Sequence, residues 1–266
     1  MRSPRSSICL AVAALTLAVG TGIGTLPAVA QTPVRPSTPL TVWNAPSPVE
    51  FDGLSTWLAT FDDPTAGAGQ VPPVYDYFHE FYFVGTESFG HLSLEVVGTE
   101  KFASLVIFDA EESREHSVRV RFPWTGNSFY FLWVNRLADG LWGAWAYDNT
   151  TATWTFIGSL AVPTRLAKLL SQSTTGVGWT GPDLESCDAY PQAVMTRRAP
   201  VGYVGTTSVQ TQLVNRFQGD GECPTTAASF VPEWDYYVVG FDPPAAAAAA
   251  GLGLTPAAGS ERRYFP

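Results

Sequence analysis

The chain is short of the residues on which most catalytic chemistry rests. Three cysteines, three histidines and two methionines occur in 266 residues. Lysine appears only at Lys101 and Lys168. His79, His91 and His116 show no His-Glu-x-x-His or other zinc spacing, so no zinc-hydrolase motif is present. A Gly-x-Ser-x-Gly elbow is missing too, and Gly205-Thr206-Thr207-Ser208 does not supply its spacing. Charged residues make up 15% of the chain, and the net charge is −9. An acidic surface argues against nucleic acid and anionic membranes as partners. Beyond Leu26 no apolar run is long enough to span a bilayer.

The N-terminus does hold such a run. Arg2 and Arg5 precede an apolar stretch from Ile8 to Leu26, and Ala28-Val29-Ala30 follows. This is the pattern of a bacterial signal peptide cleaved after Ala30. The expectation is a secreted, extracellular protein with no membrane insertion after signal cleavage. The leader carries two basic residues and no acid, so the mature charge is −11. Residues 31–40, rich in Pro, Ser and Thr, read as a flexible lead-in, and 41–241 as one β domain. Residues 242–266, an Ala/Gly/Pro tail, have no packing pattern and read as disordered. Export leaves Cys187 and Cys223, which in an oxidising compartment are most simply a disulfide. Closing a loop of 36 residues stabilises a fold by roughly 3–4 kcal/mol in the chain-entropy model.

Aromatic residues are abundant, with nine tryptophans, and 24 glycines and 21 prolines punctuate the chain. Ser117 to Pro163 reads as a meander of strands, because β-branched and aromatic residues alternate between Gly, Asn and Asp turns. Asn149-Thr150-Thr151 falls in one of those turns. Phe129 to Val134 is apolar on both faces, which predicts a central strand covered on both sides. Trp154, Phe156, Leu160 and Val162 fall on one face by strict alternation. Upstream, Leu92, Leu94 and Val96 should face the core, with His91, Ser93 and Glu95 outward. Val118, Val120 and Phe122 should likewise point inward, with Arg119 and Arg121 outward. Leu166, Leu169 and Leu170 suit one or two helical turns. About ten to thirteen strands result, in an all-β antiparallel sandwich of jelly-roll or lectin-like type.

The segments YFHEFYF, GHLSLEV, ASLVIFDA, FPWTGNSFYFLWV, LWGAWAYDNTTATWTFIGSLAVP and SCDAYP fall in an ordered series. Over about Tyr75 to Cys223 this series resembles the secreted domain of unknown function thirty-four seventy-two. Trp142-Gly143, Ile157-Gly158 and Val162-Pro163 are its most specific part. Where members carry a Gly-rich loop with a second cysteine pair, this chain has DAEESREH. Where they carry Glu-Tyr, it has Gly178-Trp179. The resemblance implies a β-sandwich and brings no catalytic signature.

His91, Ser93, Glu95, Arg119 and Arg121, joined by His79, are the candidate ligand-binding residues, lining a shallow polar groove. Rings beside such a groove bind sugars, because pyranose C–H faces stack on them while polar groups take the hydroxyls. The plainer reading is a solvated cross-strand ladder over a tryptophan core. Glu80, Glu95 and Asp109 are available as glycosidase carboxylates, but no spacing ties two of them together. No catalytic residue is assigned. Asp183, Glu185 and Asp188 near one cysteine, and Asp220 and Glu222 near the other, would converge on a disulfide and could hold calcium. No cofactor or metal is otherwise expected. A non-catalytic glycan or cell-envelope binder is the favoured reading, and it requires an exposed ring beside His91 and Glu95. A secreted polysaccharide hydrolase or lyase would instead need two close carboxylates. An extracellular protein-interaction module would show a broad apolar patch.

Overall fold

The computed structural model describes residues 32–61, 71–231 and 234–239. The expected leader and tail lie outside them. Among the described residues sixteen strands are present, more than the sequence suggested, because the C-terminal third breaks into short hairpins. In order they are β1 (Pro39–Asn44), β2 (Gly53–Thr60), β3 (Val74–Phe83), β4 (Phe89–Val97), β5 (Glu100–Asp109) and β6 (Arg114–Arg121). Then come β7 (Ser128–Ala138), β8 (Leu141–Asp148), β9 (Thr153–Ala161), β10 (Leu169–Trp179) and β11 (Ala193–Arg198). The last are β12 (Val201–Val204), β13 (Thr207–Gln210), β14 (Gln212–Gln218), β15 (Thr226–Val231) and β16 (Trp234–Val239). One sheet runs β14-β1-β10-β3-β4-β5-β6. The other runs β15-β16-β11-β2-β7-β8-β9, with the β12–β13 hairpin attached along β2. Their strand pairings are antiparallel, and the two sheets form the expected sandwich.

The core lies where the two inner faces meet. Tyr75, Tyr77, Phe81 and Phe83 of β3, with Leu92, Leu94 and Val96 of β4, are buried from one side. Tyr130, Leu132 and Val134 of β7, with Trp142, Ala144 and Ala146 of β8, are buried from the other. Within this layer large rings meet edge to face. Phe83 meets Trp142 edge-on at 5.6 Å, and Tyr77 meets Trp124 at 5.4 Å. Each buried side chain of this size contributes roughly 2–3 kcal/mol by leaving water.

Strict alternation fails in β9, and that failure closes the sandwich. A bulge between Ala144 and Trp145 lets Gly158 pair with Ala144 while Phe156 pairs with Trp145. Ile157 and Leu160 therefore turn inward, whereas Trp154 and Phe156 turn out. Gly158 has φ +147°, and a Cβ there would lie 2.5 Å from Val118 of β6. Only glycine lets the edges of the two sheets approach this closely.

Three expectations need correcting. Arg165 to Ser171 is not helical: Leu166 and Leu169 are both drawn into the core, and Leu169 exchanges backbone hydrogen bonds with Phe51. The lead-in is held rather than loose. Val34 pairs with Leu184 and Pro36 with Cys223, and the Arg35 carbonyl accepts from the Cys223 N–H. The Cys187–Cys223 disulfide is formed, with Cα atoms 5.3 Å apart, so this segment is threaded beside a covalent clip. Finally, β7 is central, but its outer face is not covered: Phe129, Phe131 and Trp133 are only partly buried.

One carboxylate ties the layers together. Asp52 Oδ1 accepts from Arg136 Nη2 of β7 at 2.6 Å and from Lys168 Nζ, just before β10, at 2.7 Å. Its Oδ2 accepts the Gly205 N–H of the β12–β13 turn at 3.0 Å. Burial alone would raise its pKa, but the hydrogen bonds from Lys168, Gly205 and Arg136 outweigh this and hold it at about 2. A depressed carboxylate stabilises the fold above its unfolded value of 3.8 and loses that contribution as pH falls toward 2. Asp52→Asn is expected to cost about 1–2 kcal/mol at pH 7. Melting temperatures taken from pH 5 to pH 2 should fall less steeply in this variant than in the parent; equal slopes would refute the assignment.

Candidate functional site

Five of the six residues singled out from the sequence lie on one outward face. β5 stands between β4 and β6, and the register places Ser93 opposite Ser104, which lies opposite Arg119. Ser93 Oγ and Ser104 Oγ are 2.9 Å apart, and Ser104 also donates to Glu95. Arg119 Nη2 reaches Glu95 Oε2 at 2.7 Å, with its guanidinium 3.6 Å above the Phe102 ring. Arg121 shares the face but not the cluster. It pairs with Glu100 at the sheet edge and lines a shallow groove with Thr99, Pro123 and Trp124.

His79 does not belong to this face. It lies inward with Tyr77, Phe81 and Phe83, fully buried. That face of β3 carries the bulkier apolar set and goes to the core, taking the imidazole with it.

The residue that the sequence reading missed is Asp76. It lies directly opposite Glu95 in the β3–β4 ladder, where facing side chains have Cβ atoms about 4.5–5.5 Å apart. Two like charges so placed repel, and each has its own cation: Arg119 for Glu95, and His91 for Asp76, with Nε2 to Oδ2 2.5 Å. His91 stacks on Phe78 at 4.8 Å between ring centres. Only the strand register could have revealed this pair, since Asp76 and Glu95 are far apart in sequence. Of the other candidate acids, Glu80 shares this face, opposite His91 in the ladder, and Asp109 serves elsewhere. Glu80 accepts from Tyr82 Oη at 2.6 Å, beside Thr174. Asp109 is fully buried, takes Arg165 Nη2 at 2.5 Å and receives the Glu111 N–H, closing the β5–β6 turn. Around the disulfide, Asp183 and Glu222 converge on Arg35 instead of on each other. Among the described residues no cluster of acids, histidines or cysteines could hold a metal.

A continuous floor of rings covers the outer face of the opposite sheet. Trp57 of β2, Phe131 and Trp133 of β7, Trp145 and Tyr147 of β8, and Trp154 and Phe156 of β9 occupy successive cross-strand positions on its outer face. They cover one another: Trp57 and Phe131 are 5.1 Å apart, Trp133 and Trp145 5.0 Å, and Tyr147 and Trp154 5.1 Å. Mutual stacking lets a sheet leave so many rings outside. Trp154 and Phe156 remain 42% and 53% exposed. The β12–β13 hairpin rises beside this floor and makes a hollow of about 210 Å³. Trp57, Phe131, Tyr147 and Trp154 line it, with Arg198, Ser208 and Gln210 at its polar side. The Gln210 amide is held by the Ala199 carbonyl at 3.0 Å, and Ser55 Oγ meets Tyr203 Oη at 2.8 Å. Walls anchored this way are preformed.

No family model and no curated protein matches the chain. Among solved structures it is similar to scytalido-glutamic peptidase with a transition-state analogue inhibitor. The TM-score is 0.49, with 8% identity over 77% of this chain and 97% of that one. It is also similar to the kappa-carrageenase of Pseudoalteromonas carrageenovora bound to an oligotetrasaccharide, with TM-score 0.27 and 10% identity over 79% of this chain and 66% of that one. A third likeness is to the CBM40 of the Ruminococcus gnavus IT-sialidase bound to sialyllactose, with TM-score 0.22 and 10% identity over 69% and 79%. At these scores none carries an argument about activity.

The His91–Asp76 pair has a measurable signature. Burial alone would lower the imidazole pKa, but Asp76 first, and then Glu80 and Glu95, outweigh burial and raise it above 6.5. The pair therefore stabilises the fold below pH 6.5, and that contribution is lost as pH rises through the folded value. NMR titration should place His91 above 6.5. In Asp76→Asn it should fall below the parent value, and an unmoved midpoint would contradict the pairing.

Proposed function

We propose that this is an exported, non-catalytic β-sandwich that binds extracellular glycan on the aromatic floor beside the β12–β13 hairpin. The hollow there supports the reading best, because it combines what sugar recognition needs. Trp57, Phe131, Tyr147 and Trp154 offer faces for ring C–H groups, while Ser208, Gln210 and Arg198 offer polar atoms for hydroxyls. The lining includes one charged residue, Arg198, and no acid. Of the rings beside His91 and Glu95 that the sequence reading required, Phe78 is buried and Phe102 is half-buried with Arg119 over its face, so the polar face is the poorer platform. A protein partner would bury the same rings. The preformed hollow with its polar side favours a small rigid ligand such as a sugar ring.

The test is retention on insoluble polysaccharides and a glycan array. Trp154→Ala and Trp57→Ala are each expected to weaken binding by about tenfold, a loss of roughly 1.4 kcal/mol, with the fold unchanged. If the parent protein retains no glycan, the reading fails.

Asp76 facing Glu95 favours a second reading, hydrolysis of a polysaccharide at the polar face. Retaining glycosidases place two carboxyl groups about 5–5.5 Å apart, and the ladder sets Asp76 and Glu95 on directly facing positions, whose Cβ atoms stand about 4.5–5.5 Å apart. New reducing ends released by the parent and lost in Glu95→Gln would support it; release that survives in the variant would clear these residues.

A further inference from the structure

The interior holds a cation, Arg197, whose hydrogen-bonding capacity is mostly unmet. Arg197 of β11 points between the sheets and is fully buried. Its Nη2 donates to the Tyr77 carbonyl at 3.1 Å and touches the Met195 sulfur at 3.8 Å, while Nε and Nη1 meet no acceptor. His79 lies two residues beyond Tyr77 on the same inward face of β3, 0% exposed, and neither ring nitrogen has a hydrogen-bond partner. Ser173 of β10, opposite Phe81, is 1% exposed, and its hydroxyl is likewise unpartnered.

The neighbouring polar groups are committed elsewhere. Thr175, opposite His79, is bound to Trp43 Nε1 and to Tyr237 Oη, each at 2.7 Å. Asp235 is held by Arg216 and Thr41. Asp76 acts on Arg197 from the far face of β3, where its Oδ2 is tied to His91 and its Oδ1 has no hydrogen-bond partner. Burial pulls the Arg197 guanidinium down to about 10, so it stays charged at neutral pH. Burial, with Arg197 beside it, holds His79 well below 6.5 and therefore neutral, with one N–H to give. A buried charge of this kind costs several kcal/mol unless something of opposite sign neutralises it.

We propose that Arg197, with His79 and Ser173, binds a small inorganic anion of chloride size between the two sheets. A guanidinium, an imidazole N–H and a hydroxyl can all donate to one spherical acceptor. Water suits the site less well, because a neutral molecule leaves the buried guanidinium charge uncompensated, whereas an anion neutralises it. All three side chains are at most 1% exposed, which favours a monatomic ion over a bulkier carboxylate or phosphate. The inference is independent of the glycan reading, which concerns the opposite side of the β2–β7–β8–β9 sheet.

The test uses the mature protein in sodium chloride and in sodium gluconate at equal ionic strength. Above half-saturation the melting temperature should rise by roughly 3–5 °C for each tenfold increase in chloride. The rise should vanish in Arg197→Met. Crystals grown in bromide should show an anomalous peak within hydrogen-bond reach of Arg197. This measurement needs only the parent protein and stands even if the variant fails to fold. Equal melting temperatures in the two salts, or a crystal with no anomalous peak at Arg197, would overturn the proposal.

Discussion

Contact between the inner faces of two sheets is the constraint on which everything else in this molecule depends. Phe83 against Trp142, with Leu92, Leu94, Leu132 and Val134 around them, requires each inner strand to send every second side chain into one shared layer. Once that layer is filled, the outer faces follow without further choice, because neighbouring residues on a strand point to opposite sides. Both candidate surfaces are by-products of that division. The polar row of Asp76, His91, Ser93 and Glu95 lies behind Tyr77, Leu92 and Leu94, and the aromatic floor lies behind Leu132, Val134, Ala144 and Ala146.

The two outer faces solve different electrostatic and solvation problems. On the polar face, two carboxylates placed opposite each other by register are tolerable because His91 and Arg119 each neutralise one of them. On the aromatic face there is almost no charge, and stability comes from rings lying on rings. Such a face keeps large, flat, weakly hydrated surfaces near solvent. The β12–β13 hairpin gives that surface a wall and, with it, a direction from which a ligand can enter.

Much of this was legible in the chain. The alternation of Leu92, Leu94 and Val96 against His91, Ser93 and Glu95 holds in the fold, and so do the outward Arg119 and Arg121 and the paired cysteines. The aromatic floor was legible in principle, since β7 carries rings on one side (Phe129, Phe131, Trp133) and a largely aliphatic set on the other (Tyr130, Leu132, Val134). It was missed because an apolar face was equated with a covered one, when stacked rings can cover each other. Leu166 and Leu169 misled in another way: spacing that suits a helix also suits a chain crossing from one sheet to the other while dropping two anchors into the core.

By itself, the sequence determined the two-layer β architecture, the inward and outward sets on regular strands, and the disulfide, because each follows from local alternation or from residue type alone. Tertiary structure alone decided that Asp76 faces Glu95, that Arg197 lies beside His79, and that Trp57 joins rings from three other strands. These are meetings of residues far apart in sequence. They are set by register, by one bulge at Gly158 and by the order in which strands join the sheets, and no local pattern encodes any of the three.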